Sequence, residues 1–155
     1  MKLSGFEAIV RALNGSAVRY LLVGGIAVNA HGYGRNTYDV DIVIQLDANN
    51  IQRAFDALLI AGYRPQQPIL ASDFANEKLR ETWRKEKNML VLKFWSDGHR
   101  ETPLDVFVYE PFDFDTEWRT AWWQNFAPDL RVPVLRLDAL KRMKHEAGRS
   151  QILTN

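Results

Sequence analysis

Asp39 and Asp41 stand two residues apart in the run Thr37 to Gln45, alternating with Val40, Ile42 and Ile44. In a strand, that alternation puts Asp39, Asp41 and Val43 on one face, the two acids with Cα atoms about 6.6 Å apart and carboxylates able to converge on shared cations. Like charges on one face of an apolar strand repel. A divalent cation between them removes that cost, and an exposed sheet face or pairing with arginines would remove it too. Asp105 is a third acid of the same kind, set in Leu104-Asp105-Val106-Phe107-Val108 and pointing away from Leu104, Val106 and Val108. Upstream, Gly24-Gly25 joins the apolar run Tyr20 to Val23 to a short helix. Such a junction presents unpaired backbone amides to a phosphate, although a plain tight turn uses the same two residues. Three strand acids downstream of a glycine junction suit two-metal phosphoryl chemistry, in which the metals stand about 3.5 to 4 Å apart.

The elements that must hold these residues can be read from the hydrophobic pattern. Phe6, Ile9, Val10 and Leu13 have helical spacing over Ser4 to Leu13, ending at Asn14-Gly15-Ser16. Tyr20 to Val23 is a buried strand, and Ile26 to His31 is a brief helix stopped at Gly32 or Gly34. After the Thr37–Gln45 strand, Asp47 or Asn49 caps a helix whose buried stripe is Ile51, Phe55, Leu58 and Leu59 and whose stop is Gly62. Pro65 and Pro68 mark a loop. Ser72 or Asp73 then opens a charged helix to Glu86, and strands Asn88 to Trp95 and Leu104 to Tyr109 form a hairpin. Phe114, Trp118, Trp122 and Phe126 predict a helix over Pro111 to Phe126, and a last helix runs from Leu137 to Ala147 with Gly148 as its stop. The expected fold is α/β (α+β): one domain over residues 1–155, a mixed sheet flanked by helices.

Composition narrows the classes. A chain of 155 residues with 46% hydrophobic content buries one sizeable core. Its net charge of +1 gives no global attraction to nucleic acid or membrane, so an anion site must be local. With no cysteine, disulfides and thiolate metal sites are excluded. The apolar window Val18 to Ala30 is too short to span a bilayer and is broken by Arg19, Gly24, Gly25 and Asn29. The Met1 end has no signal-peptide pattern, so a soluble cytoplasmic protein is expected.

Other motifs weigh less. Gly32-Tyr33-Gly34 opens like a dinucleotide fingerprint, but Thr37 stands at the third glycine and a strand follows, while a P-loop is missing altogether. Asp113-Phe114-Asp115 follows Pro111 and reads as a helix cap. His31, His99 and His145 are too scattered for zinc, and His31 is expected to cap or pack. Trp118, Trp122 and Trp123 read as core or as a partner surface, and Arg80, Arg84, Lys85 and Lys87, interleaved with Glu77, Glu81 and Glu86, as a solvated helix.

Val23-Gly24-Gly25-Ile26-Ala27, followed by His31-Gly32, Arg35, Thr37 and Asp39-Val40-Asp41-Ile42, resembles the signature of the DNA-polymerase-β-like nucleotidyltransferase superfamily. The branch it is most similar to comprises small AbiEii-like and minimal nucleotidyltransferases. Asp73-Phe74-Ala75-Asn76, Arg80, Trp83, Glu86-Lys87-Asn88-Met89, Leu104-Asp105-Val106, Met143-Lys144 and Ala147-Gly148-Arg149 extend the likeness over most of the chain.

The resemblance implies that Asp39, Asp41 and Asp105 ligate Mg²⁺ (or Mn²⁺), that Gly24 and Gly25 approach a nucleoside triphosphate, and that Arg35 and Lys144 contact its phosphates. The two cations have alternative roles, Arg35 as a partner of Asp39 or Asp41 and Lys144 as a solvated helix charge. The implied activity is transfer of a nucleoside monophosphate to a hydroxyl of a protein, small molecule or RNA. The alternative is a nucleotide-binding regulatory module or toxin-antitoxin component with little turnover. Gly25 stands where many members have serine, and Ser150-Gln151-Ile152 follows where relatives often place an acid. Larger relatives carry a further helical region for acceptor recognition, so the acceptor is expected to be, or to be supplied by, a partner protein.

Overall fold

A computed structural model describes residues 1–33 and 39–154, with side chains through residue 147. In chain order the strands are β1 (Tyr20–Val23), β2 (Val40–Ile44), β3 (Arg64–Pro65), β4 (Val91–Trp95), β5 (Leu104–Phe107), β6 (Trp122–Ala127) and β7 (Leu130–Val134). The helices are α1 (Leu3–Gly15), α2 (Gly24–Ala30), α3 (Ala48–Ile60), α4 (Ala71–Phe74), α5 (Glu77–Lys87), α6 (Phe114–Arg119) and α7 (Leu137–Thr154). One mixed sheet has the order β3-β4-β5-β2-β1-β7-β6. Its central strands are the most apolar ones: β1 is buried at every residue, and β2 at every residue but Asp41. Strands buried on both faces read as continuous apolar runs, which is why Tyr20 to Val23 and Val40 to Ile44 take the middle.

The helices form where stripes and caps coincide. Phe6, Ile9, Val10 and Leu13 of α1 are buried, and α1 packs against α3. Asp47 caps α3 by accepting from the Asn50 amide at 2.9 Å, and Gly62, at φ +89, takes the left-handed turn beyond its end. Asn50 then fastens the sheet to α3. Its fully buried amide accepts from Arg19 N at 2.8 Å and donates to Arg19 O at 3.0 Å and Gln45 O at 2.9 Å. The residues before β1 and after β2 are thereby held together at the end of the strands remote from Asp41.

Several expectations need correction. Leu59, expected in the buried stripe of α3, is exposed, and Pro65, expected in a loop, pairs with Phe94 as part of edge strand β3. The aromatic spacing of Pro111 to Phe126 is not one helix: α6 stops at Arg119, and Trp122 to Ala127 form edge strand β6, antiparallel to β7. Aromatic residues favour strands as readily as helices, and Val132 and Val134 provide the partner, joined through a two-residue turn in which Asp129 has φ +61. The charged helix is two helices, because the Asn76 side chain accepts from Leu79 N at 3.2 Å and starts α5 afresh. Its arginines are not all solvated either: Arg80 is buried and donates to Phe74 O at 2.6 Å, and the Arg84 guanidinium lies 3.9 Å from the centre of the Tyr109 ring. The last helix continues through Gly148 to Thr154, since a glycine inside a helix costs only about 1 kcal/mol relative to alanine. Asp113 stands at the N-cap position of α6, but its carboxylate caps no backbone amide there and accepts from the Thr116 hydroxyl instead.

Candidate active site

The register of four adjacent strands assembles the acids. Val23 of β1 lies opposite Asp41 of β2, Asp41 opposite Asp105 of the parallel β5, and Asp105 opposite Lys93 of the antiparallel β4. In-register residues of neighbouring strands project to the same side, so Asp41, Asp105 and Lys93 form one row with steps of about 4.8 Å. Asp39, two residues before Asp41, joins that face. The pairing is pinned by Val40 N, which donates to Pro103 O at 3.0 Å.

Gly24 closes the row at its β1 end. Its φ is +73, a conformation that β-carbon-bearing residues avoid, and a Cβ there would lie 2.8 Å from the Cγ of Asp41. The backbone of α2 thus begins in contact with the second acid of the pair.

Lys93 supplies the positive charge. Its ammonium lies 2.9 Å from Asp105 Oδ1 and 3.3 Å from Asp39 Oδ2. The contact with Asp105 is an ion pair without hydrogen-bond alignment, and the buried Oδ1 has no hydrogen-bond partner among the described residues. Burial, then the charges of Asp105 and Asp39, push the Asp41 carboxyl up to about 7 against the opposing pull of Lys93. Burial raises Asp105 as well, although Lys93 opposes it. Burial alone would lower Lys93, but the two carboxylates outweigh it and the ammonium is held above its ordinary value.

A cavity of about 680 Å³ opens beside this row. Gly24, Gly25 and Asp41 form its polar end, Val91 and Phe107 its sheet wall, and Leu140, Lys141, Met143 and Lys144 of α7 its far wall, with Tyr33 at the rim. The position of α7 is set just before its first turn. Arg136 makes a two-pronged bond to the buried Glu117 of α6, at 3.0 and 3.2 Å, and Leu135 N donates to Leu22 O of β1 at 3.1 Å. His31 packs, as expected, stacking on Trp122 with ring centres 4.4 Å apart and contacting Leu135 O at 2.9 Å.

The structure therefore brings together Asp39, Asp41, Asp105, Gly24 and Gly25, and it places Lys144 on the cavity wall. Arg35 and Thr37 lie outside the described residues. The sequence reading missed Lys93, along with Lys141 and Tyr33. Lys93 was legible in principle: Val91-Leu92-Lys93-Phe94-Trp95 has one charge in an apolar strand, and a hairpin with β5 has to put that charge opposite some residue of Leu104 to Phe107.

Three carboxylates, one of them with a buried oxygen whose contact is the Lys93 ammonium, are a hard oxygen donor set, fitted in chemistry to Mg²⁺ or Mn²⁺. Among the described residues, no three acidic or histidine side chains are arranged around a metal position; Asp39 and Asp105 close on the Lys93 ammonium instead. No described helix is long and apolar enough to cross a membrane.

No protein-family model matches the chain, and no curated protein sequence does. Among solved structures it is similar to JHP933 from Helicobacter pylori, with 13% identity and a TM-score of 0.43 over 89% of this chain and 52% of that one. The chain spans about half the length of that protein. Its own fold is an α+β domain built on a mixed seven-stranded sheet flanked by helices.

Proposed function

We propose that the chain is a metal-dependent nucleotidyltransferase of the DNA-polymerase-β-like kind, transferring a nucleoside monophosphate from a nucleoside triphosphate to a hydroxyl acceptor. The observation that carries this reading is Asp41, which lines a nucleotide-sized cavity together with the Gly24-Gly25 turn and stands in register with Asp105, with Asp39 two residues before it. Asp39, Asp41 and Asp105 would hold Mg²⁺ or Mn²⁺, which when bound neutralises charge on the reacting phosphate and activates the acceptor hydroxyl. The glycine turn lets backbone approach the triphosphate closely, where any side chain at residue 24 would collide with Asp41. Lys141 and Lys144 on α7 face the same space and offset the charge of the phosphates. The apolar wall of Val91, Phe107, Leu140 and Met143 excludes water and suits the face of a nucleobase. A second reading, nucleotide binding with little turnover as in a regulatory or toxin-antitoxin component, is favoured by one observation: Lys93 already occupies the space between two of the acids.

Incubation of the purified chain with each α-labelled nucleoside triphosphate, Mg²⁺ and an extract containing RNA, protein and small-molecule acceptors tests the proposal. Label should pass to one acceptor class, and not with Asp105→Asn. Tight nucleotide binding with no labelled product from any extract would favour the second reading, and no nucleotide binding at all would remove both.

A further inference from the structure

We propose that Lys93 is a built-in counter-ion that holds the acids in place before metal arrives and that a divalent cation must displace. This rests on reading Asp39, Asp41 and Asp105 as metal ligands.

The geometry is that of a cation site already filled by the chain itself. The ammonium touches one carboxylate from each of two segments, Asp39 just ahead of β2 and Asp105 in β5, at 3.3 and 2.9 Å. Without it, Asp41 and Asp105, one ladder step apart, and Asp39, two residues before Asp41, would repel each other in a partly buried place, and the in-register pairing of β2 with β5 would have to hold them together alone. With it, Asp39 and Asp105 both lie against Nζ, and among the described residues the acids are not arranged around a metal position. The lysine is also built to leave. It reaches the acids from β4 on a flexible four-carbon stem, and its side chain is 37% exposed. A dication on Asp39 and Asp105 and an ammonium within 3 to 4 Å of the same oxygens repel strongly at the low effective dielectric of such a site, so both cannot occupy it. Glu, Gln or Met at this position would lack the counter-charge, and only a mobile cation serves both states.

Mn²⁺ binding without nucleotide, followed by calorimetry and by electron paramagnetic resonance of the free ion, tests the idea. Lys93→Met should bind Mn²⁺ about tenfold more tightly than the parent, because the competing charge is gone. Its metal-free melting temperature should fall, and its gain on adding Mn²⁺ should exceed the parent's. Lys93→Arg, which keeps the charge, should show no tightening. If Lys93→Met does not fold, the ammonium ¹H–¹⁵N signal of Lys93 in the parent decides: it should be protected without metal and move or broaden as Mg²⁺ is added. Unchanged or weaker Mn²⁺ affinity in folded Lys93→Met, or an ammonium signal indifferent to saturating Mg²⁺, would overturn the proposal. If the parent binds Mn²⁺ and Asp39→Ala abolishes it while Lys93→Met changes nothing, the counter-ion role alone fails. If the parent binds no Mn²⁺, the metal-site reading fails and the counter-ion role with it.

Discussion

Gly24 and Asp41 share one small volume: the α-hydrogen side of Gly24 is where the Asp41 carboxyl lies, and a Cβ on residue 24 would stand 2.8 Å from Cγ and 2.9 Å from Cβ of that aspartate. Gly24→Ala therefore meets two penalties, a left-handed φ of +73 and a clash with an acid that cannot retreat because β2 is paired on both sides. Its stability should drop by about 2 kcal/mol or more in urea unfolding. Because Asp41 must move, nucleotide with Mg²⁺ should no longer raise the melting temperature. Gly24→Ala with parental stability and a parental nucleotide response would show that this contact does not shape the site.

Asp105→Asn keeps the size of the side chain and removes its charge. The variant should keep much of its triphosphate binding yet lose transfer by at least about 10²-fold, with the loss in kcat rather than in KM. Steady-state kinetics on the labelled acceptor checks this. Equal turnover by variant and parent would take Asp105 out of the chemistry.

Nucleotide and metal should bind cooperatively, since a triphosphate beside Asp41 and its two acidic neighbours needs added positive charge. At about 100 times Kd, triphosphate with Mg²⁺ should stabilise the protein by roughly 2.7 kcal/mol, read as a rise in melting temperature. Chelator should remove most of the rise, and so should Asp39→Ala. The same rise with chelator present, and in Asp39→Ala, would mean that the acids hold no metal.

The Asp41 carboxyl, raised to about 7 by burial and by its acidic neighbours, binds its proton more tightly in the folded chain than in the unfolded one. Between about pH 4 and pH 7 the folded state therefore holds the extra proton, and the contribution of Asp41 to stability declines as pH rises through that window, by up to about 1.4 kcal/mol per pH unit. Above it the decline stops. The difference in unfolding free energy between parent and Asp41→Asn, followed from pH 4.5 to 8 without metal, isolates this group: the parent should lose ground to the variant as pH rises. A difference independent of pH would place the Asp41 proton elsewhere.

Much of the candidate site is legible in the sequence because its signals are local. An acid at every second position of Asp39-Val40-Asp41-Ile42, another in Leu104-Asp105-Val106, and two glycines after Tyr20 to Val23 are each short-range patterns, and a strand's period of two decides the facing of each carboxylate. The α1 stripe, Ile51 and Leu58 of α3 and the α3 stop at Gly62 are legible for the same reason, whereas Leu59, expected in the same buried stripe, is exposed. Where two local rules competed, the sequence could not choose. Phe114, Trp118, Trp122 and Phe126 satisfy a helical spacing, yet Trp122 to Ala127 become a strand because β7 offers them an antiparallel partner, a fact about residues further along the chain.

The tertiary structure alone decided which charges meet. Asp41 and Asp105 are far apart in sequence and become neighbours only because β5 enters the sheet parallel to β2, in a register that no local pattern encodes. The same register, passed on through the β4 hairpin, sets Lys93 against Asp105 and so gives the acids a counter-charge. The cavity is a further step removed, since its far wall is α7, and α7 is held by Arg136 on Glu117 of α6 and by Leu135 on Leu22 of β1. Residue types and local spacing thus determined that Asp39, Asp41 and Asp105 interrupt apolar strands, whereas long-range strand pairing decided that Asp105 stands opposite Asp41 and 2.9 Å from the Lys93 ammonium.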